Sequence, residues 1–248
     1  MLGVLLARKI APAKSKPQLY RVLLVVFVVL GFQGARQFID PRLIEWKEAR
    51  DFDQFLNTDP LFSMVLADNP ALKAPLRAAV LKAYRSGKRE EAAAAGRTLF
   101  ASVFPQYLSR GSEASVLKFT ESMVGTLRTM EARDPERCYA YLHPGASKSI
   151  TLTKDEHRDE LLVAMRDVVQ SAHANSTALD EKSANEFLQP VIAGLEKKYG
   201  DDLAVLQKAE APEVDHKKVC DVTIALYSEL LALPPEKAGL VLKYLSAR

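Results

Sequence analysis

Apolar residues recur at spacings of three and four along most of this chain, and sustained two-residue alternation is absent, so the pattern predicts helices and essentially no sheet. The clearest stripe of the first half is Val116, Phe119, Met123, Leu127 and Met130, on a helix starting near Ser112. Before it, Gln37–Leu56 reads as a helix ended by Asn57-Thr58-Asp59-Pro60. Asn69-Pro70 supplies an N-cap and first-turn proline for a stripe of Leu72, Leu76, Ala79, Val80 and Ala83, with Pro75 as an alternative start. Lys88–Leu108 carries a wide apolar face, with Pro105 predicting a bend or break.

Asp134-Pro135-Glu136 opens a short helix through Leu142, and His143-Pro144-Gly145 turns the chain. Thr153-Lys154-Asp155-Glu156 matches a capping box leading into a helix through about His173. A pattern from Asp180 is kinked at Pro190 and stopped at Gly200, and Asp201–Lys208 is a short helix or turn. Val214–Leu233 is apolar over so wide an arc that it reads as the central helix of the second half. Pro234-Pro235-Glu236 starts a last helix with Ala238, Val241, Leu242 and Leu245 inward. The expected fold is all-α with about eight to ten helices. The loop from His143 to Thr153 divides it into halves at 37–143 and 153–248.

One stretch breaks the amphipathic pattern. Val22–Ala35 holds no charge, and Val22, Leu23, Leu24, Val25, Val26, Phe27, Val28, Val29 and Leu30 are apolar on every face. Arg21 can extend its charge to the interface, which lengthens the usable helix to about Pro17–Ala35, roughly 28 Å against a hydrocarbon core of about 30 Å. Arg8, Lys9, Lys14 and Lys16 precede it, and no acid occurs before Asp40, which orients the N-terminus to the cytoplasm. The expectation is a basic leader at 1–16 and a retained signal anchor at 17–36. A cleaved signal peptide is disfavoured, because each small-residue pair after the run contains a large residue. A buried core helix and a mitochondrial presequence are the remaining readings.

The leader also accounts for the net charge of +3. Residues 1–39 hold six of the 34 Lys and Arg residues and none of the 31 acids, so the remainder is net −3 and lacks a basic nucleic-acid face. The two cysteines, Cys138 and Cys220, sit in separate helical patterns with no CxxC motif, and form a candidate disulfide in an oxidising compartment. Closing so long a loop would stabilise by roughly 4 kcal/mol in the chain-entropy account.

Chemistry is sparse. His157 and Glu160, one turn apart, are weak candidate metal ligands, although an acidic first turn is also what a helix dipole favours. His173 lies about 160° around the helix from His157 and cannot join it there. His143 is a turn residue that could act as a general base, but no G-x-S-x-G or S-x-x-K nucleophile accompanies it. His216 reads as an exposed first-turn residue. No glycine motif cradles phosphate, and the sequon Asn175-Ser176-Thr177 is read as chance. Stripes such as Phe100-Phe104-Tyr107 read as core rather than as a groove for a partner helix.

No catalytic residue and no cofactor are expected. The leading expectation is a single-pass protein of the bacterial inner membrane whose helical periplasmic domain binds other envelope or membrane proteins without catalysis. The runner-up is an anchored hydrolase or small-ligand binder with a cleft between the two halves. A third is a soluble helical adaptor. Alternative locations are the mitochondrial inner membrane, or export in soluble form after cleavage.

Overall fold

Ten α-helices, three 3-10 segments and no strand form among the described residues of the computed structural model, which are 41–86, 89–143, 152–174, 179–209, 211 and 213–247. The all-α expectation holds for them. The leader and the Arg21–Leu30 anchor lie outside these residues, and no described helix is long and apolar enough to cross a membrane. The chain divides into a unit through Asp51 and a second unit from Phe52 to Arg248.

The helices are α1 (Pro41–Thr58), α2 (Pro60–Asp68), α3 (Lys73–Arg85), α4 (Arg89–Arg110), α5 (Glu113–Arg133), α6 (Pro135–Leu142), α7 (Arg158–Ala174), α8 (Glu181–Tyr199), α9 (His216–Leu231) and α10 (Pro235–Ser246). The Ser112 hydroxyl accepts the Ser115 N–H to cap α5, and the Asp134 carboxylate does the same for α6 at Glu136. Asp180 caps α8, which ends at Gly200, whose φ of 53° is open to glycine at little cost.

The second unit is built around α5, which packs in three directions. Phe119 joins Phe104, Tyr107, Leu161 and Val168 of α4 and α7. Val124, Leu127 and Met130 meet Cys138 and Tyr139 of α6 and Val219, Cys220 and Ile224 of α9. Val116 packs with Leu188, Leu230 and Val241 of α8, α9 and α10. Residues from both sides of the 143–152 stretch thus share each of these clusters. A fourth cluster joins Leu56, Leu66, Leu76 and Val80 of α1, α2 and α3. Phenylalanines link it to α5: ring centroids of Phe62 and Phe100 lie 6.1 Å apart, Phe100 and Phe104 5.1 Å, and Phe104 and Phe119 5.0 Å.

Several local expectations are corrected. Asn69 does not cap α3. Its side-chain amide donates to the Val65 carbonyl and the Tyr107 hydroxyl, each at 3.0 Å, which closes α2, while Pro70–Leu72 forms a 3-10 turn before α3. Helix α2 was not resolved from the pattern, although its start is well specified: Asp59 Oδ1 accepts the Leu61 and Phe62 amides at 2.9 and 3.0 Å, with Pro60 in the first turn. Neither Pro105 nor Pro190 ends its helix, because both face solvent, where water can serve the carbonyl that proline leaves unpaired. Ala79 is exposed rather than on the buried stripe.

The start of α5 is held closely. Gly111 fits where a Cβ would stand 3.1 Å from Val116 Cγ2, and the Ser171 hydroxyl of α7 accepts the Ser112 amide at 3.0 Å. On the other side, a Cβ on Gly239 of α10 would lie 2.7 Å from Glu113 Cβ and 3.1 Å from its Cα. The backbone contact cannot relax by rotamer change, so Gly239→Ala is expected to destabilise by about 1–3 kcal/mol through overpacking. Gly194, in α8 with nothing near its missing Cβ, is the control: Gly194→Ala should stabilise by up to about 1 kcal/mol. Urea unfolding followed by circular dichroism measures both.

Candidate functional site

Between α5, the end of α8 and α9 lies an open cleft of about 380 Å³. Helix α5 contributes Arg128 and Glu131, and α8 contributes Lys198 and Tyr199. Helix α9 supplies Asp221, Ile224, Ala225, Ser228 and Glu229. Position 131 falls four residues after Leu127 and so on the inward side of α5, while Asp221 sits between the buried Cys220 and Val222. Packing α5 against α9 therefore brings two carboxyl groups together.

Lys217, one turn before Asp221 on α9, bonds both Asp221 oxygens at 2.7 and 3.0 Å and stands 3.5 Å from Glu131 Oε1. Glu131 Oε1 is shut off from solvent. Burial, together with the neighbouring Asp221 carboxylate, pushes the Glu131 carboxyl up to about 7, against the opposing pull of Lys217. For Asp221, burial acts upward but is outweighed by the bonds from Glu131 and Lys217, which hold it below the usual carboxylate range. Below neutral pH the arrangement is therefore a protonated Glu131 beside an ionised Asp221, with Lys217 balancing that charge. At the other end of the cleft the Arg128 guanidinium donates to the Ser228 hydroxyl at 2.8 Å. Lys198 lies over the Tyr199 ring at 5.2 Å.

The cleft can hold a proton near neutral pH and offer positive donors beside an apolar wall. Along the sequence the cleft is hidden, because each acid stands as an isolated polar residue in an apolar pattern. The available signal was an acid on the buried side of each helix.

Of the residues singled out from sequence, Cys138 and Cys220 come together, fully buried on α6 and α9 at disulfide distance, with Cα atoms 6.2 Å apart. His157 is exposed and adopts a left-handed φ of 57° between the Lys154–Glu156 turn and α7, so α7 begins at Arg158 rather than at the capping box. Glu160 is exposed one turn later, and no group of three or more His, Cys, Asp or Glu among the described residues could hold a metal ion. His143 caps the end of α6, its ring 4.9 Å from Tyr139. None of these lines the cleft.

His216 corrects the expectation of an exposed first-turn residue. Its ring stacks on Tyr139 at 3.7 Å and 9°, and its Nδ1 meets a Glu136 carboxylate oxygen at 2.7 Å. His173 reaches Asp68 at 3.2 Å, beside the buried Tyr107, whose hydroxyl donates to Asp68 at 2.8 Å. In the capping box, Glu156 is buried and ion-paired with Arg137, while its Oε2 accepts both the Thr153 amide at 2.8 Å and the Thr153 hydroxyl at 3.1 Å. Burial would raise the Glu156 carboxyl, but these donors together hold it below the ordinary range.

Compared with protein-family models, with curated proteins and with solved structures, the chain matches none. The chemistry of the cleft therefore stands on its own geometry.

Two measurements follow from these contacts. An unfolded Glu titrates near 4.3, so between about pH 5 and pH 7 folded Glu131 keeps a proton that the unfolded chain has released, and stability falls as pH rises through that window. Asp221 acts in the opposite sense and only in the acid range, so Glu131→Gln should flatten the urea-midpoint profile above about pH 5. For the cysteines, denatured, unreduced protein should show no titratable thiol, and reduction should lower stability by about 2–4 kcal/mol.

Proposed function

We propose that this is a membrane-anchored protein whose helical domain faces the periplasm and works by binding other envelope proteins. The observation that carries the reading is the buried Cys138–Cys220 pair at disulfide distance, a cross-link suited to an oxidising compartment. The uncharged run at 22–35 behind a basic leader supplies the matching anchor, with the N-terminus in the cytoplasm of a bacterial cell. Leu162 and Val163, adjacent on α7 and 42% and 44% exposed, give a partner protein apolar surface to cover. A second reading, an anchored small-ligand binder, is favoured by the α5–α9 cleft with its proton-holding carboxyl.

An enzyme tag fused after Arg248 should report an extracytoplasmic C-terminus, and a cytoplasmic signal would defeat the assignment. In intact cells the chain should crosslink to envelope proteins. Leu162→Glu combined with Val163→Glu should lower that crosslinking while changing stability by no more than about 0.5 kcal/mol, as expected for surface substitutions. Unchanged crosslinking would remove α7 as the contact face.

A further inference from the structure

We propose that the cleft between α5 and α9 binds a small organic carboxylate, its anionic group on Arg128 and Lys198 and its body against Ile224, Ala225 and the Tyr199 ring. The first support is charge balance among the described residues. Asp221 is neutralised by Lys217, and Glu131, pushed up to about 7, keeps its proton below neutral pH. Arg128 bonds only a neutral hydroxyl, and Lys198 touches only an aromatic face. Both cations line the cleft without an ion pair among the described residues, and Glu229 is the remaining acid on its wall. While Glu131 keeps its proton, the cleft together with Lys217 has one positive charge in excess.

Geometry narrows the ligand. From Asp221 to Ser228, α9 rises roughly 10 Å, so the carboxyl pair and the Arg128–Ser228 end are about one small molecule apart. A volume of about 380 Å³ lies at the small end of ligand sites. The flat guanidinium fork fits a carboxylate through two parallel bonds. Asp221 and Glu229 on the same wall oppose a second negative charge, which favours a carboxylate over a phosphate dianion. Ile224, Ala225 and Tyr199 supply apolar cover that an ion alone would not use.

The groups facing the ligand also set its pH dependence. The bonds from Asp221 raise the Lys217 ammonium above its usual range, and Asp221 is held below the usual carboxylate range, so that pair stays ionised. Glu131, pushed up to about 7, changes charge in the neutral range, and its ionisation places a new negative charge beside an anionic ligand. Binding should weaken as pH rises.

The test is isothermal titration calorimetry on the detergent-solubilised full chain, with the monocarboxylates benzoate and butyrate as probes and inorganic phosphate as the competing anion. At least one carboxylate should bind saturably with Kd about 0.1–1 mM, as expected for a ligand of this size. Arg128→Ala should weaken it by about tenfold or more, Lys198→Ala by less, and Arg128→Lys should restore part of the loss. Between about pH 6 and pH 8 the wild type should lose affinity severalfold, while Glu131→Gln should not. Circular dichroism on each variant separates a lost site from a lost fold. The proposal is overturned if neither carboxylate binds saturably, if folded Arg128→Ala binds as well as wild type, or if phosphate binds more tightly than both probes.

Discussion

The interaction on which the rest depends is the burial of α5 on three sides. A surface helix needs one apolar stripe, but α5 presents Phe119 to α4 and α7, Leu127 and Met130 to α6 and α9, and Val116 to α8, α9 and α10. Leu127 and Met130 are wholly inaccessible to solvent. Close approach at its first turn, with Gly111 on one side and Gly239 on the other, fixes where the neighbouring helices can stand. The cleft is positioned by that arrangement, since α5 carries Arg128 and Glu131 to α9.

The polar contacts inside the unit fall into two kinds. Glu156 is fully provided for by Arg137 and Thr153, and its backbone carbonyl accepts the hydroxyl of the buried Thr126 of α5 at 3.1 Å, so it pins the turn before α7. Glu131 is less well provided for, because Lys217 bonds Asp221 more closely and stands 3.5 Å from Glu131 Oε1, a buried oxygen that no hydrogen bond satisfies. A satisfied carboxylate is a structural device. A carboxyl whose charge state changes near neutral pH, at the wall of a cleft, is suited to responding to a ligand. That contrast is why the cleft, rather than the more conspicuous acidic run at 155–160, carries the chemical reading.

Much of the fold was legible because its signals are local. Ser112, Asp134 and Asp180 cap their helices where hydroxyl or carboxylate precedes an apolar pattern, and Gly200 ends α8 by taking a positive φ. Errors arose where a local signal met a competing partner. Asn69 was drawn away from its cap by Tyr107, a neighbour only in space. The Thr153 box produced a turn rather than the first turn of α7, because His157 reversed the backbone. The stacking of His216 on Tyr139 depends on α6 and α9 meeting, which no spacing within either helix reveals.

By itself, the sequence determined the helical class, most element limits, the charge division between leader and remainder, and the presence of two cysteines able to pair, since all of these follow from composition and from spacing along one chain. Only the tertiary structure decided that α5 is central, that Cys138 and Cys220 meet, and that Glu131 and Asp221 share a cleft with Arg128 and Lys198. The physical reason is that proximity across helices is set by packing, and the charge state of a carboxyl by what surrounds it, and neither is written into the periodicity of a single element.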